Sequence, residues 1–302
     1  MDEKDCLLLQ YLQKDQNLTN AAERLFMTQP ALTYRIRQIE KEFQVEIFSK
    51  SGKNIKMTPA GEHLAEYAKR ILIDLRRTKE FLMNMGSELT GSLKIGVNSH
   101  FGLYNLPSIL KDYMNMFPKV QLNVDTGFST EIMDSLLDGQ IDIAIVRGDY
   151  NWSDQKYLLS EENICIISNQ HMDLEELPHM PMINRKEPKV LQKYKTSPYN
   201  PYDQSIEYWW NERFVEPPLI TMQVDSYETC REMVKKGLGY SIIPSVFLKA
   251  SDKLRYYNLI FKNGQEMKRR TWMYYREASM SLATVSEFVY YIKKISEQEL
   301  LN

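Results

Sequence analysis

The chain reads as a small all-α unit with a β-hairpin wing, then one long helix, then an α/β region of two Rossmann-like lobes. Three observations predict this. Residues 1–58 hold three short apolar-periodic helices and a hairpin signal. Residues 59–86 keep one narrow apolar stripe, with no glycine between Glu62 and Met85 and no proline after Pro59 until Pro107. Beyond Gly86 and a Thr90-Gly91 linker, strand and helix patterns alternate.

Length and composition set the bounds. At 302 residues the chain suits two or three domains. Hydrophobic residues at 43% and charged residues at 26% are ordinary for a globular protein. No apolar run reaches the roughly 18 residues that cross a bilayer. The start, Met1-Asp2-Glu3-Lys4-Asp5, is acidic and lacks a basic-then-apolar signal pattern, so a cytoplasmic location is expected. Cys6, Cys165 and Cys230 lie far apart, with neither disulfide-framework nor zinc spacing. The net charge of −2 hides an asymmetry: residues 24–58 carry seven basic and three acidic groups, whereas residues 91–302 carry 24 and 27. A basic patch on a mildly acidic chain fits a phosphate-facing surface, although a solvated helix face has the same composition.

The first helix shows Leu8, Leu9 and Leu12 on one face. Residues 19–26 predict a second, with Leu18, Ala22, Leu25 and Phe26 inward. Thr28 then suits an N-cap, and Pro30 stands in the first turn, where its missing N–H costs nothing. Leu32, Ile36, Ile39 and Phe43 follow at 4-3-4 spacing, while Gln29, Thr33, Tyr34 and Arg37 take the opposite face. A second helix, a short turn and a polar-faced third helix make a helix-turn-helix suited to the major groove. Strands at Val45–Phe48 and Ile55–Met57, joined by Ser51-Gly52-Lys53-Asn54, predict a wing on which Lys50, Lys53 and Lys56 cluster.

Ala21-Ala22, Leu25, Thr28-Gln29-Pro30-Ala31-Leu32, Ile36, Ile39-Glu40, Phe48 and Thr58-Pro59-Ala60-Gly61 stand at the spacing of the LysR-type transcriptional regulators, which this chain resembles. The resemblance is strongest over residues 7–65 and weaker beyond 90. It implies that Gln29, Pro30, Thr33 and Tyr34 form the base-proximal surface on double-stranded DNA and that Arg35, Arg37 and Lys53 meet the backbone; no cofactor is expected. Thr33 departs from the usual serine and Tyr34 from a common arginine or other polar residue. Lys50 and Lys53 replace wing arginines, keeping charge but losing the bidentate fork. Gln44 replaces a usual glycine.

Thr58 and Pro59 suit the cap and first residue of the long helix. Leu64, Ala68, Ile71, Leu75, Thr78, Leu82 and Met85 follow 4-3 spacing, a coiled-coil seam of about three heptads. A helix over residues 59–86 spans about 40 Å at about 1.5 Å per residue. Its stripe calls for a partner helix or for packing on its own chain. The family resemblance favours a homodimer, and further a homotetramer, with RNA polymerase as another candidate partner.

Strands at 93–97, 120–124 and 141–146 alternate with helices marked by Leu106 to Phe117 and by Ile132 to Leu137. A second run has strands at 164–167, 219–224 and 240–243 and a helix over 227–236. A last helix, Leu282 to Ile295, is expected to pack on the first lobe. Two lobes joined by crossing strands near 160–164 and 264–269 resemble the type II periplasmic-binding-protein fold that this family uses as its sensor. The expected division is residues 1–58, 59–89 and 90–302, the first lobe being about 90–162 with 267–302 and the second about 163–266. Ligands in open α/β sheets bind beyond strand carboxyl ends. That rule selects Asn98, Ser99 and His100, then Ser129, then Arg147, for an effector expected to be anionic; the two serines also suit simple helix caps. In the second lobe Tyr202, Asn169 and Asp225 are weaker candidates.

No phosphate-binding loop, nucleophile elbow or metal-helix motif is present. Gly237-Leu238-Gly239 lacks a third fingerprint glycine and precedes a strand instead of following one. A solute-binding protein or an enzyme on the same two-lobed fold is the alternative; the helix-turn-helix and the lack of a signal pattern argue against the first, and the missing catalytic constellation against the second. Cys230, near Arg231, is a conceivable redox thiol.

Overall fold

The computed structural model describes residues 1–51, 54–83, 88–186 and 201–300. Helix α1 (Glu3–Asp15) opens on a capping box, in which Asp2 accepts the Asp5 N–H at 2.9 Å and Asp5 accepts the Asp2 N–H at 2.8 Å. Helix α2 (Leu18–Arg24) is capped by Asn17. Helix α3 (Gln29–Phe43) is capped by Thr28, whose Oγ1 accepts the Ala31 N–H at 3.4 Å. It ends at Gln44, which takes the left-handed φ of +56°. That conformation explains why glycine is usual at this position.

Leu8, Leu9 and Leu12 of α1, Ala21 and Ala22 of α2, and Leu32, Ile36 and Ile39 of α3 close one core. Two expected members are absent from it. Phe26 is 99% exposed and Phe43 36% exposed. Helix α2 stops at Arg24, so Phe26 falls in the turn at φ +52° and its side chain leaves the inward stripe. Phe43 lies in the last residue of α3, past the point where α1 covers that face. The wing is also displaced: β1 (Phe48–Ser51) pairs antiparallel with β2 (Asn54–Met57), so the first strand begins three residues later than predicted. Val45 to Ile47 are spent on reaching the core, where Ile47 is fully buried.

Helix α4 (Pro59–Met83) starts against that core. Thr58 Oγ1 donates to the Glu46 carbonyl at 2.6 Å and accepts the Gly61 N–H at 3.0 Å. A Cβ on Gly61 would lie 2.4 Å from the Ile47 carbonyl oxygen, so only glycine fits where helix and wing touch. Leu64, Ala65 and Ala68 complete the core of the first domain, and beyond them Phe81 and Leu82 are 68% and 60% exposed. Met85, the last member of the expected seam, lies outside the described residues.

The α/β region is built on β3 (Gly91–Asn98), flanked in parallel by β4 (Val120–Gly127) and β5 (Ile143–Arg147). The chain then adds antiparallel strands. Strand β11 (Lys268–Tyr275) pairs with β5 and with the first part of β6 (Gln155–Ser168). From Ile164 onward β6 pairs with β9 (Ser241–Pro244) and β10 (Arg255–Asn258), so this one strand passes from lobe to lobe. A parallel pair, β7 (Met182–Arg185) and β8 (Ile220–Val224), extends the second lobe, with α8 (Pro201–Asn211) and α9 (Tyr227–Lys235) around it.

Helices cover both faces of the first-lobe sheet. On one, α6 (Leu106–Met116) and the final helix α10 (Ala283–Leu300) bury Leu93, Ile95 and Val97 under Tyr113, Val285, Phe288, Val289 and Ile292. Each such large side chain contributes about 1.5–3 kcal/mol of burial. On the other, α7 (Ser129–Leu137) packs Ile132, Met133 and Leu136 on Ala144 and Val146. No helix among the described residues is long and apolar enough to cross a membrane.

Candidate functional site

Two regions gather the predicted site residues. The first is the outer surface of α3. Gln29, Pro30 and Arg37 are exposed, and Tyr34 is 64% exposed. Thr33 is half-buried, and its hydroxyl donates to the Gln29 carbonyl at 2.9 Å. Thr28 is the helix cap.

Arg35 does not join this surface. Its Nε donates to Asp5 Oδ1 at 2.7 Å and its Nη2 to Asp2 Oδ2 at 2.5 Å, tying α3 to the start of α1. In the fold this arginine is an internal clamp, in which the Asp5 and Asp2 hydrogen bonds raise the guanidinium pKa. On the wing, Lys56 is exposed on β2. Lys50 lies in β1, but its side chain and the whole of Lys53 lie outside the described residues.

The second region is the seam between the lobes, at the carboxyl ends of β3 and β5. Asn98 is buried, and its Oδ1 caps α5 (Ser99–Tyr104) by accepting the Phe101 N–H at 3.0 Å. Its Nδ2 and the hydroxyl of Thr130 are buried with no hydrogen-bond partner among the described residues. Ser99 Oγ donates to the Gly127 carbonyl at 3.2 Å, and Ser129 Oγ accepts the Arg147 N–H at 3.2 Å. Both hydroxyls thus hold strand and helix ends together.

His100 Nδ1 lies 2.9 Å from Arg147 Nη2. Because a guanidinium only donates, Nδ1 is the accepting nitrogen and the ring is neutral. Burial, then the nearby Arg147 and Arg269, push its pKa down to about 4. Arg147 is only 7% exposed, and its Nε stands 3.6 Å from Glu162 Oε1. Burial lowers the Arg147 pKa to about 10 despite Glu162, and burial raises Glu162 despite Arg147. The pair is too long for a good charged hydrogen bond, so the cation is under-compensated.

The second lobe closes this cluster with residues that sequence reasoning missed. The Phe247 ring packs edge-on to His100 at 4.6 Å between centroids and lies 5.7 Å from the Arg147 guanidinium. Arg231 Nη1 donates to the Phe247 carbonyl at 2.7 Å, and Tyr227 packs on its ring at 5.0 Å. Arg185 stacks 4.7 Å over Tyr227 and donates to its hydroxyl at 3.2 Å. Phe247 sits in a one-turn 3₁₀ helix with no periodic signature, and the pairing of Arg147 with Glu162 spans two strands. Tyr202 lies in α8, and its side chain lies outside the described residues. Asn169 and Asp225 are exposed on the second lobe.

The arrangement binds and positions; it presents no nucleophile with a base among the described residues. Cys165 and Cys230 are buried. Burial pushes the Cys165 thiol up to about 12 and raises Cys230 as well, the opposite of a reactive thiol. Among the described residues no group of three or more His, Cys, Asp or Glu side chains is placed to hold a metal ion.

Residues 5–62 match the family described as bacterial regulatory helix-turn-helix protein, lysR family, and residues 86–295 match the LysR substrate binding domain. The chain is 40% identical over 293 residues to the uncharacterized HTH-type transcriptional regulator YraN of Bacillus subtilis, covering 97% of this chain and 98% of that one. It is 34% identical over 294 residues to YkuM of the same organism, described in the same terms, covering 97% of each. Among solved structures, a full-length OxyR variant from Pseudomonas aeruginosa matches with a TM-score of 0.63 at 22% identity, covering 97% of this chain and 95% of that one. The Vibrio cholerae virulence activator AphB matches with a TM-score of 0.52 at 15% identity, covering 97% and 99%.

Proposed function

The chain belongs to the LysR family of bacterial transcriptional regulators, and from that premise we propose how its parts divide the work. Residues 1–58 read DNA, residues 59–89 link and dimerise, and residues 90–302 sense the effector. The first lobe comprises about 90–162 with 267–302, and the second about 163–266. Gln29, Pro30, Thr33 and Tyr34 face base edges, held in register by Thr28. Arg37, Lys50 and Lys53 meet phosphates. Arg35 leaves this set because its guanidinium is already held by two carboxylates.

The observation that carries the reading is the uncovered polar edge of α3, which begins at a capped N-terminus and offers Gln29, Tyr34 and Arg37 together. Footprinting on the DNA around the protein's own gene, at two salt concentrations, tests it. The expected result is an interrupted dyad that survives moderate salt; binding that salt erases on every sequence would remove the docking scheme.

The effector is a small anion held by Arg147 with His100, Asn98, Ser99 and Ser129. Its support is the buried, under-compensated Arg147 and His100, whose Nδ1 accepts from Arg147 and so leaves Nε2–H as a donor. Phe247 occupies the seam and must move or stack when the anion enters. Helix α7 supports a route outward. Its first residue, Ser129, holds the Arg147 backbone. The carbonyl of its last residue, Leu137, accepts from Lys69 of α4 at 3.4 Å and from Arg276 at 2.9 Å. Movement of α7 at the cleft is thereby felt on the linker. Unchanged footprint and transcription at saturating effector would reject that coupling.

The exposed Phe81 and Leu82 on α4 support pairing with a second copy into a homodimer, and further into a homotetramer. RNA polymerase is a candidate partner at the promoter. We read no catalytic role in the chain.

A further inference from the structure

A second recess lies away from the seam, where three parts of the chain meet. It has a volume of about 640 Å³, the size of a metabolite site. Helix α1 supplies Leu7 and Gln10, α4 supplies the stretch from His63 to Lys79, and the first lobe supplies Lys94, Gly139 and Arg276. Six permanent cations line it against three carboxylates. Each carboxylate is already engaged: Glu3 by Lys79 at 3.3 Å, Glu66 by Lys69 at 2.8 Å and Asp142 by Arg76 at 2.6 Å. Among the described residues, three cations of the lining form no salt bridge, namely Arg70, Lys94 and Arg276.

Arg276 is the most constrained of these. It is half-buried, donates to the Leu137 carbonyl at 2.9 Å and lies 5.6 Å from the Trp152 ring. Burial lowers its pKa against the pull of Glu66, Asp154, Asp138 and Asp142. Gly139, at φ +70°, forms the wall between Arg276 and Gln10. At about 100° per residue, Glu66, Arg70 and Ile73 face away from Leu64 and Ala68, which pack into the core of the first domain.

We propose that this junction binds a small polyvalent anion, of the phosphorylated or polycarboxylated metabolite class, between Arg70 and Lys94 with Arg276 at the wall. Concave, low-dielectric walls concentrate the field of these three cations. Arg76 already joins α4 to the first lobe through Asp142 and the Ser92 carbonyl, and Lys79 joins α4 to α1. A bound anion adds a further clasp and fastens the DNA reader and linker to the first lobe. This site is separate from the one that contains Arg147.

The test is calorimetric titration of the full-length protein with pyrophosphate, and separately with citrate, at ionic strength held constant with sodium chloride. Saturable binding of one or both is expected, weakened at least tenfold in Lys94→Ala and in Arg70→Ala. Both are exposed side chains whose loss leaves the core intact. Arg276→Gln is expected to weaken it further. Arg147→Ala is expected to leave this binding unchanged, which separates it from any failure of the effector cleft. No saturable binding of either anion overturns the proposal. So does binding that persists in Lys94→Ala and Arg70→Ala, or that Arg147→Ala abolishes, because the anion would then sit elsewhere.

Discussion

The proposed DNA-reading surface and the proposed effector seam carry their chemistry in opposite ways. The reader sets Gln29, Tyr34 and Arg37 on one exposed helix edge within nine consecutive residues, over a core that does not involve them. The seam gathers His100, Ser129, Arg147, Glu162 and Phe247 from five separate segments and buries the charges among them. Reader residues can therefore change binding with little change in stability. Seam residues cannot change one without the other, because each is another's partner.

The sharpest way to break that contrast is Arg147→Ala. It leaves Glu162 buried with Arg269, its neighbour on the paired strand, as the remaining cation, and is expected to cost about 3 kcal/mol of stability in denaturant unfolding, besides abolishing the effector response. Exchanging both for apolar residues, as Arg147→Met with Glu162→Leu, should recover most of the stability and none of the response. A loss from Arg147→Ala below about 1 kcal/mol would mean that the pair is solvated and the contrast false.

The seam also gives a pH signature that the reader lacks. His100 holds its pKa near 4 in the fold, against an ordinary 6.5. Between those values the unfolded chain takes up a proton that the folded chain refuses. Stability should then fall as pH drops from 6.5 toward 4, and level off below. An anion beside the ring would raise its pKa again, so effector affinity should increase over the same descent. His100→Gln should flatten both curves; unaltered curves would show that other groups set them.

In the reader, Gln29→Ala is expected to cost about 1–3 kcal/mol of discrimination at one base pair, measured with operator variants. Arg37→Ala should weaken all sequences alike and lower the salt slope by about one. Neither should move the unfolding midpoint measurably. A lowered midpoint would tie these side chains into the core, against their exposure.

The same contrast explains what could be read from the residues in order. Thr28, Pro30 and the Leu32-Ile36-Ile39 stripe announce α3 because caps and periodicity are local, and α4 follows from Thr58-Pro59 likewise. The strand-end rule brought Asn98, Ser99, His100, Ser129 and Arg147 to one region because β3 and β5 are adjacent and parallel. Phe247, Glu162 and Arg185 escaped it. Their place depends on how β6 carries the chain into the second lobe, and no spacing encodes that crossing. The clamp between Arg35 and the two aspartates was hidden for a similar reason, since it joins positions 30 and 33 residues apart. Phe43 and the start of β1 were misplaced because a periodic stripe does not say where its covering helix ends.

The smallest effect concerns Phe26, where an apolar residue is left in the open. Its ring is 99% exposed and its backbone left-handed, so it gives the first domain neither burial nor an easy conformation. Asparagine adopts that region at lower cost. Phe26→Asn is expected to raise stability by about 1 kcal/mol or less, read as a higher denaturant midpoint at unchanged slope. DNA affinity should stay the same if reading rests on α3 and the wing alone. A fall in affinity with raised stability would assign the ring a DNA contact from the turn. That outcome would show that one reader residue, like those of the seam, accepts a structural cost for a functional contact.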